Sequence, residues 1–170
     1  MGSSSELSSP RLVGVSDTSF DRSRCTVAGT LAVVGEKWSL LILREAFWGV
    51  RRFADLQRNL GAPKAVLSDR LARLVEQGVL RRVPYQAEGE RQRHEYRLTD
   101  KGRDLYPTLI ALMSWGDRYL ADSSGPPVEL EHRDCGASVE LVLVCDAGHR
   151  VDGPRDVRPV PRVAPAGATG

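Results

Sequence analysis

Between positions 52 and 98, two short amphipathic runs are separated by a turn and followed by two alternating runs around a polar, glycine-containing loop, an order that leaves few folds open. Phe53, Leu56 and Leu60 recur at helical spacing, Gly61-Ala62-Pro63 interrupts them, and Leu67, Leu71, Leu74 and Val75 resume the pattern until Gly78 stops it. The spacing predicts helices over about 52–59 and 63–77, with Pro63 in the first turn, where its missing N–H costs nothing. Residues 80–85 and 94–98 read as strands, the second alternating His94, Tyr96 and Leu98 with Glu95 and Arg97. Helix, turn, helix and hairpin is the order of a winged helix-turn-helix: mainly α with a small β-hairpin wing (α+β), the second helix shaped for a DNA major groove.

Charge points the same way. From Arg51 to Arg103 there are 13 Lys/Arg against 7 Asp/Glu, a surplus of +6 on a chain whose total is only +2. The basic excess therefore sits on the one stretch that would face phosphates. If the leucines of the second helix face a core, Lys64, Ala65, Ser68, Arg70, Ala72 and Arg73 fall on its flanks or outer face. Small residues there let a backbone approach base edges, Lys64 or Arg73 can reach phosphate or guanine, and Ser68 can bond either. Arg51 and Arg52 precede the motif, while Arg91 and Arg93 close the wing loop, where an arginine can enter a narrow minor groove. Glu88 and Glu90 in that loop oppose phosphate, and an ordinary solvated helix face would carry similar charges. His94 shares a strand face with Tyr96 and Leu98, so a half-buried structural histidine is expected rather than a catalytic one.

The flanks supply a core and a candidate interface. Val27, Ala28, Leu31, Ala32 and Val34 predict a helix ending at Gly35, and residues 38–47 are apolar on nearly every side, as in a helix buried centrally. Thr99 can cap a further helix reaching about Ala121, with Pro107 inside it predicting a kink or break near Leu105-Tyr106. Leu109, Leu112, Met113 and Trp115 on that helix, together with the first helix, have more apolar surface than a domain this small needs to cover, so pairing with a second copy is expected; an intramolecular core helix is the alternative. The organisation expected is a disordered arm over 1–19, a winged-helix and dimerisation domain over 20–122, a linker over 123–127, a small β-rich appendage over 128–152 and a disordered tail over 153–170. No apolar run approaches the roughly 18 residues of a membrane span and no charged-then-apolar leader opens the chain, so a cytoplasmic place is expected.

Taken in order, Cys25-Thr26-Val27-Ala28, Val34-Gly35-Glu36-Lys37-Trp38, Leu41-Ile42-Leu43-Arg44-Glu45-Ala46-Phe47, Gly49-Val50-Arg51-Arg52-Phe53, Leu67-Ser68-Asp69-Arg70-Leu71, Gly78-Val79-Leu80 and Tyr96-Arg97-Leu98-Thr99-Asp100-Lys101-Gly102 resemble the HxlR family of MarR-like winged-helix bacterial regulators. The resemblance covers about 24–120 and rests on the ordered string of blocks. It implies a homodimer built from the terminal helices, double-stranded DNA bound by the second helix and the wing, control of nearby genes, no catalytic residues and no cofactor needed for DNA binding. Phe53, Leu67, Arg70 and Leu71 match the pattern and would mostly hold the motif together. Cys25 occupies the position at which members of this family sense oxidants or electrophiles. A thiol at a helix N-terminus beside Arg22 and Arg24 is expected to ionise more readily, whereas a small packing residue at the dimer interface is the bland alternative. A small-molecule effector bound between dimer halves, near Trp38 or Trp115, is equally compatible with the resemblance.

The appendage carries His132-x2-Cys135 and Cys145-x3-His149, spacings that tetrahedral zinc accepts, around a predicted strand over 139–145 with 128–132 as its partner. Some 25 residues bury little core, so a metal staple would help them fold; a docked hairpin without metal is the alternative. Three cysteines, an odd number, argue against a disulfide framework. Two other functional classes stay open at this point. A zinc or thiol enzyme would need an open coordination position beside a substrate pocket and a general base, and a winged-helix interaction module would use the motif for packing alone.

Overall fold

The computed structural model describes residues 22–86 and 92–160. The chain divides into two compact units, one of Cys25–Leu141 and one of Met1–Arg24 with Val142–Gly170. The expected arm over 1–19, the wing-tip Arg91 and the last ten residues of the tail lie outside the described residues.

The larger unit contains α1 (Thr26–Val34), α2 (Lys37–Phe47), α3 (Phe53–Leu60), α4 (Lys64–Glu76), strands β1 (Leu80–Tyr85) and β2 (Arg93–Leu98), α5 (Asp100–Arg103) and α6 (Tyr106–Tyr119). It is a winged helix-turn-helix, and the boundaries fall within a residue or two of those the periodicity predicts. Pro63 sits one position earlier than expected, at the N-cap of α4. There its fixed φ and absent N–H still suit the start of the helix. No single described helix is long and apolar enough to cross a membrane.

The core forms where the amphipathic faces meet. Ile42 and Leu43 of α2, Leu56 of α3, Leu67, Leu71 and Leu74 of α4, and Val79 and Leu80 entering the wing are all fully buried in one cluster. Helix α2 lies against α1, α3, α4 and α6, so its apolar character on nearly every side is the character of a central element. Its one buried carboxylate, Glu45, accepts from Arg44 Nη2 and from Asn59 Nδ2, each at 2.8 Å, so the charge is not left uncompensated.

The hairpin pairs antiparallel with Leu80 opposite Leu98, Arg82 opposite Tyr96, Pro84 opposite His94 and Tyr85 opposite Arg93. On its other edge β2 bridges the segment before α3: Arg52 pairs with Glu95, and Tyr96 N donates to Arg51 O at 2.8 Å. The residues leading into the helix-turn-helix are thereby stitched to the wing.

The expected break before Pro107 is present, since α5 ends at Arg103 and α6 begins at Tyr106 with Pro107 in its first turn. Thr99 caps α5 as predicted, its Oγ1 accepting from Gly102 N at 3.1 Å. The same hydroxyl donates to Gly78 O at 2.6 Å, and Lys101 Nζ donates to Gln77 O at 2.8 Å, so α5 binds the orphan carbonyls at the end of α4. Gly102 makes this approach possible: a Cβ on it would stand 2.2 Å from Val79 O. Gly78 follows the end of α4, as the sequence predicts, and does so in the left-handed region at φ +67°.

The appendage departs from its expected form. The apolar run over 139–145 does not make one strand, because it feeds two tight turns. Within the larger unit, Val139 N donates to Leu130 O at 2.8 Å and Glu131 bridges Ser138, around a turn at Gly136. In the other unit, β3 (Leu143–Val144) pairs with β4 (Arg150–Val151), around a turn in which Gly148 N donates to Cys145 O at 2.8 Å.

Candidate nucleic-acid interface

The outward side of α4 is assembled from what its leucines leave over. With Leu67, Leu71 and Leu74 buried, Lys64, Ala65, Ser68, Ala72 and Arg73 are exposed. Lys64, Ser68 and Ala72 follow one another at i, i+4 and i+8, a single row along the helix. This row faces the wing. Its first two members, Lys64 and Ser68, line an open concavity of about 620 Å³ together with Arg52, Phe53, Arg82, Tyr85, Arg93, His94 and Tyr96.

Aromatic rings set the cations of this concavity. The Arg52 guanidinium lies 4.7 Å from the centre of the Tyr85 ring, and that of Arg82 lies 6.0 Å from the centre of the Tyr96 ring. Contacts of this kind hold a long side chain along the sheet without neutralising it. Among the described residues, neither Lys64, Arg52 nor Arg82 has a carboxylate partner within 4 Å. Among the described residues the one acid on the rim, Asp55, is taken by Arg58 at 2.5 Å. The surface is therefore cationic, concave and lined by small or aromatic groups, which is what phosphate and base edges require.

The predicted contact residues divide between two faces. Lys64, Ser68, Arg52 and Arg93 are brought together on the wing side, Ala65 is exposed in the first turn of α4, and Arg51 is exposed beside Arg52. Arg70 and Arg73 line a different hollow, of about 440 Å³, with Leu31, Glu36 and Gln77. The Arg70 side chain is only 20% exposed, with Nη2 3.9 Å from Glu36 and Nε 3.6 Å from Asp69. Arg73 is 62% exposed and ion-pairs with Asp69 at 3.2 Å.

Three contributors escape the sequence reading: Arg82, Tyr85 and His94. Period-two alternation puts Arg82 on the Tyr96 face once the hairpin register is known, but the register is fixed by pairing and not by composition. His94 is exposed at the open end of the hairpin and not half-buried, because the face it shares with Leu98 leaves the core before reaching it.

Cys25 is the N-cap residue of α1, half-buried and with a free thiol. In the appendage, His132 Nδ1 lies 3.4 Å from Cys135 Sγ, and Cys145 Sγ lies 3.6 Å from His149 Nδ1; all four side chains are exposed. Each pair supplies two ligands where a structural zinc takes four. Among the described residues no group of three or more His, Cys, Asp or Glu is gathered to hold a metal ion.

Comparison with known proteins places the same geometry in company. The HxlR-like helix-turn-helix family model matches residues 33–124. An uncharacterised HTH-type transcriptional regulator of Mycobacterium tuberculosis is 49% identical over 150 residues, 88% of this chain and 93% of its own. The crystal structure of PA1607, a candidate transcription factor, superposes with a TM-score of 0.73 at 41% identity, covering 82% of this chain and 96% of that one. The redox regulator HypR in its oxidised form gives a TM-score of 0.52 at 28% identity, covering 58% of this chain and all of its own.

Proposed function

The chain belongs to the HxlR-like helix-turn-helix family of transcriptional regulators, and from that premise we propose that it acts as a homodimer on a pseudo-palindromic operator, with α4 in the major groove and the hairpin wing beside it. The observation that carries the proposal is the concavity between α4 and the wing, where Lys64, Arg52 and Arg82 stand without carboxylate partners among the described residues. Lys64, Ala65 and Ser68 meet the groove. Arg51, Arg52, Arg82 and the wing arginines 91 and 93 meet phosphate or the minor groove. Arg73 reaches the duplex from the opposite flank of α4. Arg70 serves as the residue that fixes α4 against Glu36 rather than as a direct contact.

Dimerisation is supported by the apolar side chains that the larger unit leaves outside. Val27 and Leu31 of α1 and Leu112, Trp115 and Tyr119 of α6 are each half or more exposed. Surfaces of this kind, on the first and last helices of the domain, are more apolar than an isolated monomer keeps. A twofold pairing through them would present two copies of α4 about one duplex turn apart, roughly 34 Å. Cys25 sits at the start of α1, and the likeness to a protein named a redox regulator supports oxidation of this thiol as the signal.

Binding to the intergenic DNA flanking the protein's own gene, measured against salt and with a footprint, tests the reading. A steep fall of affinity with salt and a protected pseudo-palindrome are expected. Shallow, sequence-indifferent binding would overturn it.

A further inference from the structure

The stretch over 131–150 is folded without a core of its own. Every residue in it is exposed, Val139 at 44% and Leu143 at 64% included, yet its backbone makes two defined turns. Apolar burial this slight does not fix a backbone, and hydrogen bonds open to water add little.

The two turns are built alike. In the first, His132 N donates to Ala137 O and His132 O accepts from Gly136 N, each at 2.8 Å. In the second, Cys145 N donates to His149 O at 3.0 Å and Cys145 O accepts from Gly148 N at 2.8 Å. Both backbone groups of the leading His or Cys thus close its turn, and each turn bends through a left-handed glycine, Gly136 at φ +67° and Gly148 at φ +82°. The outcome is the same at both: a sulfur beside an imidazole Nδ1, 3.4 Å apart for Cys135 and His132 and 3.6 Å apart for Cys145 and His149.

These separations are those of two ligands on one zinc ion. A Zn–S bond of about 2.3 Å and a Zn–N bond of about 2.0–2.1 Å, set at the tetrahedral angle, place sulfur and nitrogen about 3.5 Å apart. We propose that the His132/Cys135 turn and the Cys145/His149 turn are each a two-ligand chelate for zinc, and that the metal supplies the hold that apolar packing does not. A thiol donating to an imidazole spans a similar distance, but one weak bond in water leaves an exposed turn unheld, whereas zinc coordination is strong enough to fold a coreless segment. As each sulfur binds, its thiol proton passes to solvent; each imidazole coordinates neutral through Nδ1 with its proton on Nε2. Zinc at either turn fills its two remaining positions with ligands from outside that turn. None of the DNA-facing residues takes part, so the proposal goes beyond the regulator reading and is tested without DNA.

The test strips metal from the reduced full-length protein and titrates it with Co²⁺ alone, a spectroscopic substitute for zinc. A thiolate-to-cobalt charge-transfer band and the strong visible bands of tetrahedral cobalt are expected, and Zn²⁺ should displace both. Cys135→Ser and Cys145→Ser should each lower the charge-transfer band by half or more and weaken cobalt by at least about tenfold, while Cys25→Ser keeps the band. His149→Cys, which exchanges nitrogen for sulfur, should retain the metal and strengthen the band, whereas His149→Ala weakens it. The thermal melt of the winged-helix unit reports that each variant is folded. Zinc should also slow tryptic cleavage after Arg133, inside the first turn, and after Arg150, beside the second. No charge-transfer band in the reduced wild type, a band that survives in both serine variants, a band lost in Cys25→Ser alone, or cleavage at both arginines that zinc leaves unchanged would overturn the proposal.

Discussion

Asn59 Nδ2 donates to Glu45 Oε2 at 2.8 Å, and through this bond the first helix of the helix-turn-helix is tied to a carboxylate buried in α2. The other oxygen is held by Arg44 at the same distance, so the carboxylate is satisfied from two helices' worth of donors. Asn59→Ala removes one of them from a group that water cannot reach. A loss of about 1–2 kcal/mol in unfolding free energy is expected, read from urea denaturation. An unchanged midpoint would mean that Glu45 finds another donor and that the bond does not position α3.

A tighter constraint joins Gly102 to Val79. The space a Cβ would need at position 102 is occupied by the Val79 carbonyl oxygen at 2.2 Å, and that oxygen belongs to the backbone of the turn between α4 and β1. Gly102→Ala can therefore be accommodated only by lifting α5, which breaks the bonds from Thr99 Oγ1 to Gly78 O and from Lys101 Nζ to Gln77 O. The expected cost is about 2–3 kcal/mol, visible as a lowered thermal midpoint. A variant as stable as the parent would show that α5 is free to shift.

How much of this was legible beforehand depends on whether a neighbour in sequence or a neighbour in space decides the outcome. The helices of the motif were legible because Leu67, Leu71 and Leu74 declare one face, and Gly78 and Thr99 act on residues beside them. The Thr99 cap and the break before Pro107 are local in the same sense. The concavity was only half legible. Lys64 and Ser68 follow from the leucine period, but Arg82 joins them through its pairing with Tyr96, fourteen residues on, and the ion pair that draws Arg70 toward Glu36 bridges α4 to the start of α2. The stretch from Val139 to Cys145 reads as one strand because all but Glu140 are apolar, a pattern blind to the backbone pairing that divides them between two turns.

The exposed face of α6 makes a prediction about assembly. Trp115 and Tyr119 pack with ring centres 5.3 Å apart and planes tilted by 46°, yet both remain more than half exposed, as does Leu31 of α1. A charge placed among them would have to be buried in a dimer and would be solvated in a monomer. Trp115→Glu is expected to leave the fold's thermal melt cooperative while shifting the sedimentation profile from dimer to monomer, and to weaken operator binding by more than about tenfold, since each half-site is then held alone. A variant that still sediments as a dimer would remove α6 from the interface.

The sharpest separation is between cations that face the wing and those that do not. Lys64 and Arg82 belong to the concavity and have no carboxylate partner among the described residues, so each is available to displace a counterion from phosphate. Substituting either with Ala should reduce the slope of log affinity against log salt by about 1 and weaken all sequences nearly alike. Arg73, on the opposite flank, is exposed but shares its charge with Asp69 at 3.2 Å. If it reads a base, Arg73→Ala costs about 1–3 kcal/mol on the operator and little on random DNA. Arg70 differs from all three: mostly buried between Glu36 and Asp69, it should change the salt slope by nothing measurable when replaced by Ala, and lower folding stability instead by about 1 kcal/mol. Fluorescence anisotropy across a salt series, run beside urea denaturation for all four variants, distinguishes these outcomes. An Arg70→Ala protein that keeps its stability but loses salt dependence would place that guanidinium on the DNA, and would turn the contact surface of α4 toward α1 instead of toward the wing.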